Sequence, residues 1–405
     1  MTAGAEDRFR WHPAARLFGP DGAEVAPLAN GPPVLDDLDS PTALAAAMAQ
    51  NGRAFRIGAV DQPAPPHSDL PEFETLTSGT SGTPRRIRRS QSSWTASFAV
   101  NAGLFGIGPN ARVAVLGRLS HSLALYAGVE GLHLGADVHL LDRLRPDRQR
   151  RALTELGITH LYATPAQLRL LTDAPGPALP LDHVILGGSK LDPTLRAALA
   201  ALAPQARVAE FYGAAETSFI TLSSPDLPQD SVGRAYPGVD IVIRDGSALV
   251  PEGQVGAVWV RSRYLFQGYG DNAPGPAQRD GDWMSVGEIG TLRDGCLYLH
   301  GRAGRMVTVA DQNVFPEEIE GFLVSLGLSR VAVLPRPDPL RGTVLVAVAQ
   351  GDGQGDGQGT AAILRAARDR FGPLKAPRAM MWRADWPELS SGKPDLARLA
   401  AEWDV

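Results

Sequence analysis

Between residues 73 and 212, short apolar or β-branched runs alternate with stretches of helical periodicity, and that alternation constrains the fold more than any other feature. The runs at 113–116, 138–141, 184–186 and 208–212 predict strands, each separated from the next by enough chain for a helix. Parallel neighbours need such crossovers, so the pattern predicts a mostly parallel sheet covered by helices. Ahead of the last run, Asp192-Pro193 precedes Leu195, Leu199 and Leu202. That is an N-cap, a proline at the first helical position and an apolar stripe at helical spacing.

The pattern changes beyond Tyr212. Runs at 239–244, 255–261, 290–292 and 296–300 read as antiparallel strands, the last two joined by Asp294-Gly295, a two-residue hairpin turn signal. After Gly301-Arg302 comes a third segment of about one hundred residues, with helices after Pro316 and at 362–371 and strands near 331–334 and 344–348. The tract 351–359, GDGQGDGQG, is a solvated loop by composition. The fold class is therefore α/β: a large N-terminal domain of helix-covered, mostly parallel sheets with a small antiparallel region, then a small α+β domain. A chain of 405 residues is long enough for both, with a boundary at 1–303 and 304–405.

Composition narrows the function. A net charge of -5 argues against broad attraction to nucleic acid or anionic lipid. The single cysteine, Cys296, permits no internal disulfide. No run is long enough to span a bilayer and residues 1–13 lack the apolar stretch of a secretion signal, so a cytoplasmic protein is expected.

The sharpest local feature is Thr77-Ser78-Gly79-Thr80-Ser81-Gly82-Thr83-Pro84-Arg85, between a candidate strand at 73–76 and a helix bearing Trp94, Phe98 and Leu104. Its glycines can expose consecutive backbone N–H groups to an anion, its hydroxyls add donors, and Arg85 adds charge. It lacks the Gly-Lys-Ser/Thr of P-loop enzymes. A flexible surface loop reads the same way, so taken alone the loop decides nothing. Arg86, Arg88 and Arg89 read either as a solvated face or as a docking patch for an anionic partner.

Four segments follow in order: Glu210-Phe211-Tyr212-Gly213-Ala214-Ala215-Glu216, Gly287-Glu288-Ile289-Gly290, Gly301-Arg302 and Ser391-Gly392-Lys393. With the hydroxyl-rich loop, and with the runs 313–320 (NVFPEEIE) and 387–393 (PELSSGK), the series resembles the signatures of the AMP-forming acyl-CoA synthetase, luciferase and peptide-synthetase adenylation superfamily. The resemblance covers roughly residues 73–399. It departs from the family pattern at Arg85 for lysine, Ala215 for threonine and Glu288 for aspartate.

The resemblance implies two half-reactions. A carboxylate attacks the α-phosphate of ATP and expels pyrophosphate; a thiol of CoA, or of a carrier protein's phosphopantetheine, then takes the acyl group. It implies that Thr77, Ser78, Gly79, Thr80, Ser81, Gly82, Thr83 and Arg85 hold the triphosphate, with Thr80 and Arg85 assisting the chemistry. Glu216 would hold Mg²⁺, and Lys393 would reach the α-phosphate and the attacking carboxylate. Tyr212 would stack beside adenine, with Glu210, Phe211, Gly213 and Ala215 on the same segment. Gly187, Gly188 and Ser189 would form a turn beside adenine and the acyl group, and Glu288 and Arg302 would grip the ribose. His121 and Tyr126, with Tyr162 and Phe211, would line the acyl pocket. The stretch 119–123 carries no acid to meet an α-ammonium group, which argues against an α-amino acid substrate.

In the family the small domain is mobile and turns about a hinge; the matching position here is Gly304. Ala310-Asp311 replaces the Gly-Gly of the loop that lines the pantetheine tunnel. Only about seventy residues precede the phosphate loop, so a pared-down N-terminal part, with an exposed acyl site or a homodimer covering it, is expected. Two alternatives to an acyl- or aryl-CoA ligase stand beside it: a stand-alone adenylation enzyme that loads a carrier protein or forms an amide, and a non-catalytic nucleotide or acyl binder.

Overall fold

The computed structural model describes residues 7–29, 31–35, 38–50, 53–59, 61–66, 70–77, 85–309, 312–338, 342–351, 359–389 and 393–401. At its centre five parallel strands lie in the order Asp137–Leu140, Arg112–Val115, His160–Ala163, His183–Leu186 and Arg207–Ala214. They are near-continuous apolar runs because helices cover both faces. Along Arg112–Val115 the two-residue period splits the side chains. Val113 and Val115 join Leu125, Val129 and Leu132 of helix Ser122–Leu134. Ala114, from the other face, joins Leu168 and Leu171 of helix Pro165–Asp173 and Leu195 and Leu199 of helix Pro193–Leu202. Asp192 caps that last helix, accepting from the Leu195 N–H at 3.0 Å.

The predicted antiparallel strands are continuous with this sheet. Ser218–Ser223 pairs with Arg207–Ala214, and the ladder runs on through Arg234–Ala235, Cys296–Arg302, Glu288–Arg293 and Gly256–Ser262 to Val239–Asp245. Asp294 and Gly295, both at positive φ, make the hairpin turn. Next to the opposite edge strand, Glu24–Val25, Arg16–Phe18 pairs in parallel with Asp137–Leu140, a three-residue strand too short for periodicity to reveal.

A second sheet holds Phe55–Arg56, Glu72–Leu76, Arg86–Ser90 and Gly268–Tyr269. It corrects the reading of the basic run. Arg86 and Arg89 are 6% and 1% exposed, Arg88 is half-buried, and Arg56 and Arg86 share the Glu74 carboxylate at 2.7 and 3.6 Å. Arg86 and Arg89 are internal, so the three do not form the expected basic surface patch. Strand alternation turns charged residues inward where an acid or carbonyls can receive them.

From Val307 onward the chain builds separate cores. Val333, Leu345 and Ile363 anchor one and Leu334, Val346 and Leu399 another, around strands Val331–Asp338, Gly342–Gln350 and Met380–Arg383. Residues 352–358 of the glycine-rich tract, with Ala310, Asp311, Ser391 and Gly392, lie outside the described residues.

One polar network lies wholly inside the large core. The Glu130 carboxyl, 0% exposed, accepts from Asn101 at 2.8 Å, from Tyr126 at 3.0 Å and from Tyr162. Burial pushes its pKa up to about 7 against the pull of those donors. A carboxyl with a raised native pKa stabilises the fold fully below its unfolded value and loses that contribution as pH rises through the native one. Replacing Glu130 by Gln removes this titration. Between pH ~4 and ~7, wild-type unfolding free energy, measured by urea denaturation, is expected to fall by roughly 2–3 kcal/mol relative to Glu130→Gln.

Candidate active site

The site is built where strand Arg207–Ala214 leaves the parallel sheet and turns back into Ser218–Ser223. A bulge falls between Tyr212 and Gly213, and Ala214 pairs with Ser218. The turn is tight enough that a Cβ on Gly213 would stand 1.8 Å from the Ser218 carbonyl oxygen. Ser218 itself sits at φ +56°. The Thr217 hydroxyl accepts from the Ala214 N–H at 3.0 Å and locks the loop. Glu216 projects from it, 8% exposed. Its Oε1 accepts from the Tyr269 hydroxyl at 2.9 Å, and its backbone carbonyl accepts from the Phe266 N–H at 2.8 Å.

The loop stem arrives beside it. The Thr77 N–H donates to the Arg85 carbonyl at 2.9 Å, and the Arg85 N–H to the Thr77 hydroxyl at 3.3 Å. The positive charge of Arg85 acts on Tyr269, the partner of Glu216. Ser78, Gly79, Thr80, Ser81, Gly82 and Thr83 lie outside the described residues. The Leu76 N–H donates to the Ser120 carbonyl at 2.9 Å, which brings His121 to the foot of the same loop. Burial holds the His121 imidazole below its ordinary pKa.

Glu288 and Arg302 face each other across the hairpin, and the Arg302 Nε donates to Glu288 Oε1 at 3.0 Å. Tyr212 lies against this pair. Burial first and the Glu288 charge second push its hydroxyl pKa well up. A cleft of about 180 Å³ opens alongside, lined by Glu288, Leu299, His300, Gly301, Arg302 and Glu317.

Lys393 enters from the other end of the chain. It is exposed over much of its surface, yet atoms packed about its ammonium lower its pKa. The Arg302 charge lowers it further, while Glu288 and Glu216 pull it up. One lysine thus senses both carboxylates and the arginine. The segment that carries it is held by contacts to the hairpin, His300 with Glu318 and the Arg302 N–H with Glu317 at 3.4 Å, and is braced internally by Arg305 with Glu320 at 2.7 Å.

Other expected residues fall differently. Gly187 is buried under the Phe211 ring, where a Cβ would meet that ring at 2.2 Å, and Gly188 turns the chain at φ +99° before exposed Ser189. Glu210 is bonded to Arg196 and to the Leu191 N–H at 3.1 Å, which fixes the start of helix Pro193–Leu202. Tyr126 is 4% exposed, its hydroxyl held by Ser97 at 2.6 Å and by Glu130, so it stands in the internal network and not on a pocket wall. Tyr162 joins the same network. Two residues escaped the sequence reading. Tyr269 carried only a Gly-Tyr dipeptide as signal, and Arg89 was one arginine among four.

The family described as AMP-binding enzyme matches residues 23–270, and the chain belongs to it. An uncharacterized acyl-CoA ligase, YhfT of Bacillus subtilis, is 31% identical over 95% of this chain and 79% of its own length. VraA of Staphylococcus epidermidis, named as a putative long chain fatty acid-CoA ligase, is 29% identical over 68% of this chain, which spans 60% of that relative. The amide bond synthetase McbA of Marinactinospora thermotolerans superposes with a TM-score of 0.71 at 27% identity, over 84% of this chain and 71% of its own. Among the described residues no helix is long and apolar enough to cross a membrane.

The overlap at Gly213 leads to a direct test. Gly213→Ala must push the two strands apart at the turn, displacing its neighbour Tyr212 as well as Glu216 while the distant helices keep their packing. AMP binding, measured by calorimetry, is expected to weaken about tenfold or more, with a far-ultraviolet spectrum like that of the wild type.

Proposed function

We infer that this chain is an AMP-forming acid–thiol ligase, which activates a carboxylic acid with ATP and passes the acyl group to the thiol of CoA. The reading is supported by Lys393 lying within electrostatic reach of Glu216, Glu288 and Arg302, all of which act on its ammonium. Family membership and the acyl-CoA ligase relatives support it.

In the first half-reaction a carboxylate oxygen bonds to the α-phosphorus, and the bond to the bridging oxygen of pyrophosphate breaks. Negative charge gathers there, so aimed cations and donors supply most of the stabilisation. The Lys393 ammonium, which neutralises both the incoming carboxylate and the α-phosphate, is the residue proposed to lower this barrier. Thr77 and Arg85 hold the stem of the loop that would face the β- and γ-phosphates. Glu288 and Arg302 would bind the ribose across the cleft, and Tyr212, beside Glu288, would flank the base. In the second half-reaction the thiol sulfur bonds to the acyl carbon, AMP leaves, and the thiol proton passes to solvent.

Mg²⁺ fits this donor set. Among the described residues no three His, Cys, Asp or Glu side chains cluster. A single buried carboxylate, Glu216, is what an ion mainly ligated by phosphate oxygens and water requires. Bound there, the ion would neutralise the departing pyrophosphate.

Residues 1–303 and 304–405 are proposed as the two domains. Gly304 lies in the short turn Ala303–Arg305 between their cores, with open space where a Cβ would point, as a hinge requires.

A second reading, amide formation from the acyl-adenylate, is favoured by the likeness to McbA. Pyrophosphate release across a panel of carboxylates, with CoA or with amines, separates the two: CoA consumed with thioester formed supports the ligase, and amide formed with CoA untouched supports the alternative. Lys393→Ala is expected to slow pyrophosphate release by about 10²–10³-fold with every acid. Since the protonated ammonium is the active form and its pKa is lowered, wild-type release declines with rising pH below the ordinary lysine range. In Arg302→Gln the opposing charge is gone, so the alkaline limb moves to higher pH.

A further inference from the structure

Arg89 is 1% exposed and, unlike its buried neighbours Arg56 and Arg86, it makes no ion pair among the described residues. Instead its guanidinium spends its donors on three separate segments. It donates to the Ala215 carbonyl and to the Ser218 hydroxyl at 2.7 Å, on the two flanks of Glu216. It donates to the Tyr264 carbonyl, at the head of the segment whose Phe266 N–H and Tyr269 hydroxyl both bond Glu216. Its Nε donates to Ser93 at 3.2 Å, and its face lies 5.9 Å from the Trp94 ring centre.

Burying an arginine without a carboxylate in contact is costly, and an apolar side chain of similar volume would fill the space more cheaply. Here the planar fork does what no apolar group can: it binds carbonyl and hydroxyl oxygens at both ends of a turn that holds Ser218 at positive φ. The acid whose charge bears most on it is Glu216, which opposes the lowering of its pKa to about 9 by burial.

We propose that Arg89 is a positioning residue for Glu216, clamping the 215–218 turn and the 264–269 segment so that this carboxylate is fixed for the divalent cation of the ATP complex. The proposal rests on the ligase reading and deepens it. Arg89 touches no reacting atom and acts through Glu216 alone.

The test uses Mn²⁺ as the probe, bound to the full-length protein with an ATP analogue carrying a methylene bridge between the α- and β-phosphates and followed by electron paramagnetic resonance. Arg89→Lys keeps the charge and loses the fork. Its Mn²⁺ dissociation constant is expected to rise about 10- to 100-fold, while AMP binding without metal stays within about twofold. Mn²⁺ affinity unchanged, or falling only in step with AMP affinity, overturns the proposal. If Arg89→Lys does not fold, Ser218→Ala, which removes one acceptor, is read in its place: weaker Mn²⁺ binding at constant AMP affinity supports the clamp, and no change overturns it. Wild-type protein that binds no Mn²⁺ with the analogue overturns the ligase reading and this proposal together; wild-type binding with unaltered variants overturns this proposal alone.

Discussion

Everything at the site hangs on one backbone constraint, the close approach of Gly213 to the Ser218 carbonyl where a parallel strand reverses into an antiparallel one. The parallel half of the sheet needs helices on both faces, and so it points its strand ends at a rim that helices leave open. The antiparallel half can continue only if the chain doubles back at that rim. The reversal puts an acid, Glu216, at the edge of the sheet with its backbone tied to Phe266 and its oxygen to Tyr269. A wider turn would leave the carboxylate to solvent and to its own rotamers.

Electrostatics then organises what the turn positions. Glu216 comes from the reversal and Glu288 from the hairpin, each almost buried, and two buried acids near one another are unfavourable without cations. Arg302 supplies one through a direct bond and Lys393 another through the small lobe. The lobe is held to the hairpin through His300 and Arg302, both of them polar contacts. Contacts of this kind can be exchanged for water at modest cost.

Much of the fold could be read directly, because its elements are long and periodic. The strands at 113–116, 138–141, 184–186 and 208–212 occur within about two residues of their expected bounds, as does the Asp192-capped helix. Arg16–Phe18 was invisible, since three residues show no period. Arg86 and Arg89 read as surface because charge is normally outside. Their burial depends on Glu74 in a neighbouring strand and on carbonyls far along the chain, which local pattern does not record. Tyr126 was placed in a pocket wall for want of its partners, above all Glu130, one helical turn away but meaningful only once Tyr162 and Asn101 close the network.

The amino-acid sequence by itself determined the class of fold, the family and the order of the chemically able segments, because periodicity, turn residues and short motifs are local properties that survive without coordinates. Tertiary structure alone decided which of those segments meet. That Lys393 shares a field with Glu216 and Glu288, that Tyr269 holds Glu216 and that Arg89 faces inward depend on register between strands and on packing between lobes. Such relations join residues tens to hundreds of positions apart, and no stretch of chain contains them.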